Sequence, residues 1–273
     1  MFIYGTIGLF VKYINLPSSV ISMLRGTVGA PFLLLIMLIK HQKLSTDSIK
    51  RNAKFLLMSG TMLGFNWILL FESYRFTSVS NSTLCYYMAP IFLIVVSPFV
   101  FKEKLSVKNI VCVLAALIGM IFVSGVIQGK LPEAGELRGL IYGLLAAVLY
   151  TSIMLCNKGL RDIGPFERTI VQLGISAVVM LVYNLFTGKL IGLSPDTVSL
   201  AALAFVCVVH TGIAYYLYFG SMQFLPAKNI AILSYIDPVV TLILSAVFLG
   251  ERIGVFGVIG AILILGSAYA NER

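Results

Sequence analysis

The chain has 273 residues, 59% of them hydrophobic and 11% charged, with a mean hydropathy of +0.98 and a formal net charge of +9. So apolar a composition exceeds what the core of a soluble domain can hide, which makes this a membrane protein. Its basic residues are spread over the polar joints between apolar runs rather than gathered in one patch, which argues against a nucleic-acid partner.

A hydrocarbon core ~30 Å thick needs roughly 20 apolar residues per spanning helix. On that scale the chain divides at about 1–14, 18–39, 53–73, 79–101, 107–125, 139–157, 165–187, 197–224, 227–249 and 254–270. The expected fold is an all-α polytopic membrane protein of ten transmembrane helices, with no room for a soluble domain. The first run, at ~1.5 Å per residue, reaches only about 21 Å, so a further turn or two upstream of Met1 is expected. A cleaved signal peptide would need a basic segment before the run and a small-residue site after it, and neither is there.

With the N-terminus inside, the inner joints carry thirteen basic residues, in 40–54, 102–108, 158–168, Lys228 and Arg273. The outer joints carry six: Lys12, Arg75, Lys130, Arg138, Lys189 and Arg252. The positive-inside rule then places both termini in the cytoplasm and the protein in the cell membrane. Cys85, Cys112, Cys156 and Cys207 lie in apolar runs without metal-ligand spacing and read as packing residues.

An ionisable group at membrane depth costs about 2.5–3.5 kcal/mol unless a partner or cavity receives it. In the second span, Arg25 either snorkels to the outer surface or faces a cavity and binds an anionic group. The third span brings Asn66 and Trp67, the fourth Tyr86, Tyr87 and Pro90, and the seventh Gln172, close to the repeat counterpart of Arg25. His210 stands in the middle of the eighth span, either as a packing residue or as a proton carrier, with Tyr215, Tyr216 and Tyr218 after it. In the ninth span Tyr235 precedes Asp237 and Pro238. An acid before proline can cap the helix that resumes there, or it can carry a proton or pair with a cationic group.

Sliding the sequence against itself by 148 positions superposes GFNWILLFESYRF (64–76) on GIAYYLYFGSMQF (212–224). The same offset matches Tyr87 with Tyr235, Pro90 with Pro238 and Glu103 with Glu251. Near the start the offset is 146, which sets Tyr4 against Tyr150. Five spans per copy is an odd number, so the second copy must enter the membrane upside down, the inverted-repeat arrangement of many secondary transporters. The repeats are 1–124 and 139–273, joined by a loop at 125–138. Ala89 precedes Pro90 where Asp237 precedes Pro238, so the shared bend does not require an acid.

Y-x-x-P followed thirteen residues after its proline by Glu, and the closing GERIGVFGVIGAILILG (250–266), resemble the drug/metabolite transporter superfamily, specifically its EamA-type family. The resemblance implies ten helices in two inverted repeats, cytoplasmic termini, a central cavity built from the first four helices of each repeat, and peripheral fifth helices often used in dimers. The first half has FKEK (101–104) where the second has the more typical LGER (249–252).

Glu103 and Glu251 are expected to favour the N-terminus of the next helix in the chain. The spacings in GTMLG (60–64) and GLIYG (139–143), with Gly254, Gly257 and Gly260, are expected to serve close helix packing.

The function these residues point to is a secondary active transporter of a small metabolite. Arg25, Asn66, Trp67, Tyr87, Gln172, Tyr215 and Tyr235 would contact substrate, and His210 and Asp237 would couple protons. Export is common in the families it resembles, and an amino acid or related compound is one candidate cargo. No phosphate loop is present to use ATP, and neither a cofactor nor a metal is expected. A passive channel, a membrane scaffold and an intramembrane enzyme are the alternatives, the last disfavoured by the lack of H-E-x-x-H and of paired buried aspartates.

Overall fold

The computed structural model describes residues 1–42, 44–101, 106–123, 133–222, 233, 236–251 and 253–272. Among them there is helix and no strand. In chain order the helices are α1 (Phe2–Lys12), α2 (Ser18–Ile39), α3 (Thr46–Arg51), α4 (Ala53–Phe76), α5 (Val79–Tyr86), α6 (Ala89–Phe101) and α7 (Val107–Val123). Next come α8 (Ala134–Lys158), α9 (Pro165–Phe186), α10 (Thr197–Phe205), α11 (Ala214–Met222), α12 (Ile236–Phe248) and α13 (Val255–Glu272). Six described spans are long and apolar enough to cross a membrane, and four shorter apolar helices, α1, α7, α12 and Val255–Ala270, accompany them. Their bounds track the hydrophobic runs closely, since a helix in lipid ends where the apolar residues end. This is a multi-pass membrane protein.

Local chemistry explains the ends. Ser45, Ser78 and Asp196 each accept from the backbone N–H three residues on, the cap that Ser and Asp supply at a helix start. The short helix α3 was not expected, because six residues with Ile49 as their one apolar member carry no apolar stripe. Proline breaks the fourth span: α5 stops at Tyr86 and α6 resumes at Ala89, one residue before Pro90. Between α10 and α11 the chain widens into a π-helical stretch, Val206–Ile213. The loop expected at 125–138 is described only from residue 133.

The helices gather into two compact units. One contains Met1–Leu9, Leu69–Thr151 and Leu225–Arg273; the other contains Phe10–Ile68 and Ser152–Phe224. The units do not coincide with the sequence halves, since each draws on both.

In the first unit α7 packs along α13 at a glycine crossing. A Cβ on Gly119 would lie 2.8 Å from the Gly260 carbonyl, and one on Gly260 only 2.6 Å from the Gly119 carbonyl. Small residues let backbones approach this closely where lipid gives no hydrophobic drive. Around the crossing Leu84, Met88, Ile91, Ala116, Val123 and Ile264 form an apolar core.

In the second unit α2 lies along α9, with Gly26 against the Leu173 carbonyl. Gly60 and Gly64 of α4 also seat on α9, against Ile175 and Met180. Gly139 and Gly143 of α8, in the first unit, meet Thr77 and Cys85. The G-x-x-x-G pairs therefore serve packing within the chain, as expected. Of the closing trio only Gly260 does so among the described residues: a Cβ on Gly254 would meet none of them, and one on Gly257 would meet only Ile253, just before the helix begins.

Candidate functional site

In the second unit three helices converge on Arg25. It lies seven residues into α2, about 10 Å from the helix start at ~1.5 Å per residue, and is only 3% exposed. Its Nε donates to the Thr211 hydroxyl at 3.0 Å. Its guanidinium carbon stands 3.8 Å above the Trp67 ring, the stacked geometry in which a cation meets the negative face of indole. The Tyr215 hydroxyl is hydrogen-bonded to the same guanidinium. Arg25 is thus buried within the unit.

Packing sets up this geometry. The Ser22 hydroxyl donates to the Gly64 carbonyl at 2.9 Å, fastening α2 to α4 just before Trp67. Gly29 lets α2 approach Thr211, and Gly212 lets the π-helical stretch approach Phe32. An extra residue in a helical turn rotates the side chains beyond it, and π-bulges recur at functional sites. Here the widened turn presents Thr211 and, four residues on, Tyr215 to the arginine. Thr211 was not anticipated; the signal available was its place four residues before Tyr215 on one helical face.

His210 lies in the same stretch, fully buried, with the rings of Phe10 and Phe205 edge-on at 5.6 and 5.4 Å. Asn66 is fully buried beside Trp67 in the chain. The Gln172 amide donates to the Ser59 hydroxyl at 2.6 Å and to Asn157 Oδ1 at 2.7 Å, joining α9 to α4 and α8. Twelve residues further along α9, Asn184 accepts from the Ser19 hydroxyl at 2.6 Å and donates to its carbonyl at 3.1 Å. Polar side chains on the buried face of α9 thus bond neighbouring helices, the use such residues find where water is absent.

The first unit holds the Asp237 cluster. Tyr87, at the break between α5 and α6, donates its hydroxyl to Asp237 Oδ2 at 2.8 Å. Asp237 is in the first turn of α12, where a carboxylate meets the free amides and positive end of the helix. Tyr86 stacks on Tyr150 with ring centroids 5.2 Å apart. Next to Tyr150, the Thr151 hydroxyl donates to the Ala89 carbonyl at 2.9 Å. On the other side of the cluster Thr241 donates to the carbonyls of Gly5 and Asp237 at 3.0 and 3.1 Å. Tyr235 and Glu103 lie outside the described residues. Among the described residues no three His, Cys, Asp or Glu side chains group as metal ligands would.

Glu251 corrects an expectation. Its carboxylate does not serve α13, the next helix in the chain. It accepts from the Val79 and Ser80 amides of α5 at 2.8 and 3.1 Å, and from the Ser80 hydroxyl at 2.9 Å. Gly250, at φ +65°, supplies the left-handed residue that ends α12, and the Glu251 N–H folds back to the Ser245 carbonyl at 3.2 Å. That turn aims the carboxylate at α5 rather than along the chain.

Comparison with known proteins agrees with this build. The profile of the EamA-like transporter family matches residues 1–125 and 137–271. The uncharacterized transporter YxxF of Bacillus subtilis is 30% identical over 97% of this chain and 84% of its own length. The uncharacterized transporter YyaM of the same organism is 27% identical over 91% of this chain and 82% of its own. One solved crystal structure superposes with a TM-score of 0.65 at 18% identity, over 98% of this chain and 92% of the other, and so shares the fold. With a profile match over nearly its whole length, the chain belongs to the EamA-like transporter family.

Proposed function

We propose that the chain is a secondary active transporter that moves a small metabolite out across the cytoplasmic membrane by alternating access of two inverted five-helix repeats, coupled to protons through Asp237. The Tyr87–Asp237 hydrogen bond carries this reading, because it joins the break in the fourth span to the first turn of α12. An ionised carboxylate only accepts hydrogen bonds, whereas a protonated one also donates. A proton arriving on Asp237 therefore changes what Tyr87 must do, and with it the preferred relation of the helices that carry the two residues. Broken helices in repeats are where transporters place such sites.

Three observations support the repeat. The family profile matches twice, once in each half. Thr151 bonds the Ala89 carbonyl, and Gly5 abuts the Asp237 carbonyl at 2.7 Å from where its Cβ would be. Gly5 and Thr151 correspond at the offset of 146, and Ala89 and Asp237 at 148. Gly26 likewise meets Leu173, its own counterpart at 147, as two helices crossing near a pseudo-twofold axis do. Arg25, Asn66, Trp67, Tyr215 and Tyr235 belong to the substrate path in this reading. Gln172 holds helices together beside it, and His210 is a second proton-sensitive group. Ten spans would put both termini on one side, the cytoplasmic one by the distribution of basic residues, and a homodimer would use the fifth helices of the repeats.

Purified protein in liposomes, given a metabolite panel with and without a pH gradient, tests this. Gradient-driven accumulation is expected from the native chain. Asp237→Asn should lose it while keeping substrate exchange at equal pH and eluting as a monodisperse species. Undiminished gradient-driven accumulation by that variant would sink the coupling assignment.

A further inference from the structure

A cluster of basic side chains lies in the second unit where α4 begins and α8 ends. Segments 50–54 and 158–161 carry Lys50, Arg51, Lys54, Lys158 and Arg161 and no acid, and the fold sets them side by side. Buried Asn52 is clasped to Arg161: its amide donates to the Arg161 carbonyl at 2.7 Å, and its Oδ1 accepts from the Arg161 N–H at 3.0 Å. Three residues on, Phe55 lies against Gly159, where a Cβ would stand 3.0 Å from the ring. The start of α4 is thus seated on the end of α8, and the seat gathers these charges on one rim. Lys50, Lys54 and Arg161 are exposed there.

Five acids are expected on this side of the membrane, Asp47, Glu103, Asp162, Glu167 and Glu272, against thirteen bases. Asp162 pairs with Arg51 at 2.8 Å. Glu167 is buried and accepts from the Ser45 N–H. Asp47 stands in the first turn of α3, at the other end of that helix from Lys50 and Arg51. Glu103 and Glu272 belong to the first unit and have bases of their own beside them in the sequence, Lys102, Lys104 and Arg273. The rim keeps an excess of positive charge.

Just beyond the rim the surface of α4 is apolar. Leu57 and Met58 are exposed, three and four residues from Lys54 and so on the same helical face. A phosphate that carries acyl chains matches both parts, the charge against the rim and the hydrocarbon against the helix. A soluble anion would engage the rim alone. We propose that this rim binds the headgroup phosphate of an anionic phospholipid, with an acyl chain lying along Leu57 and Met58. Basic groups clustered at the end of a spanning helix attract such headgroups. The lipid site stands apart from the transport reading, since it needs neither a cargo nor a coupled proton.

Purified full-length protein in neutral detergent, stripped of lipid, is titrated with phosphatidylglycerol or with phosphatidylcholine of the same acyl chains, and bound lipids are counted by native mass spectrometry. One phosphatidylglycerol should bind at least about tenfold tighter than phosphatidylcholine, and added salt should weaken it, because the attraction is between charges near water. This comparison is made on the unmodified chain, so no variant has to fold. Lys50→Gln, Lys54→Gln and Arg161→Gln together should remove the preference, at roughly fivefold for each basic residue lost. Lys12→Gln, Arg138→Gln and Lys189→Gln together, in joints expected on the other side, take away as much charge and should leave the preference in place. Glycerol 3-phosphate at the same concentration should not displace the lipid, because it lacks the chains.

Equal affinity for the two lipids, a preference that survives the first triple change, or one lost equally with the second would overturn the site. Displacement by glycerol 3-phosphate would overturn its assignment to lipid.

Discussion

At the scale of single residues, Glu251 joins two stretches of chain about 170 positions apart in sequence, because its carboxylate accepts three hydrogen bonds at the start of α5. The Ser80 and Ser245 hydroxyls, 2.6 Å apart, add a fourth polar link between the same elements. Replacing Glu251 by alanine should leave the first amides of α5 short of acceptors and cost about 1–2 kcal/mol. Glu251→Gln, which keeps one acceptor oxygen, should cost less. Thermal unfolding in detergent, monitored by aggregation onset, orders the three chains; an alanine variant as stable as the native one would remove this role. Sequence showed that an acid after glycine at a helix end would serve a helix N-terminus. It could not show which helix, because a left-handed residue sends the chain off in a direction that hydropathy does not encode. The same holds at Arg25: charge at membrane depth was legible, but its engagement with Thr211 depends on a π-helical turn, and an apolar run reads alike in either winding.

Whole elements were the most legible, since in lipid the length of an apolar run and the polar residues at its ends decide a helix. What sequence left open was which glycines touch something. Gly254, Gly257 and Gly260 look alike as a small-residue stripe, yet a Cβ at Gly260 would meet a backbone carbonyl at 2.6 Å while one at Gly254 would meet nothing among the described residues. A backbone oxygen cannot rotate aside as a flexible side chain can, so α13 would have to separate from α7. Gly260→Leu should therefore destabilise the protein by about 1–3 kcal/mol or more, the range for overpacking a close contact. Gly254→Leu should fall within about 0.5 kcal/mol of the native chain, as surface changes usually do. The pair is compared by melting in detergent. Equal losses at both positions would mean that the crossing at Gly119 and Gly260 is not close packed in the membrane.

At the scale of the molecule, the membrane sidedness expected of each connecting segment follows from alternation of the spans, and contacts within the units bring together segments expected on one side. In the second unit, Arg51 pairs with Asp162 at 2.8 Å, and Asn52 donates to the Arg161 carbonyl at 2.7 Å and accepts from its amide at 3.0 Å. The segments 40–52 and 159–164 therefore share one end of that unit, as two inner joints must. At the opposite end the Asn15 amide donates to Ser199 at 3.0 Å, bringing together the joints at 13–17 and 187–198. In the first unit Gly139 abuts Thr77, and Glu251 reaches Val79, so three joints assigned to the outside again coincide. The end rich in Lys40, Lys50, Arg51, Lys158 and Arg161 should be cytoplasmic, because such clusters resist translocation. Fusions truncated after Asp162 should then give a fluorescent cytoplasmic reporter and no alkaline phosphatase activity. Fusions truncated after Lys189 should give the reverse. The opposite pattern at both positions would keep the helix pairing and invert the protein in the membrane; the same pattern at both positions would mean that α9 does not cross.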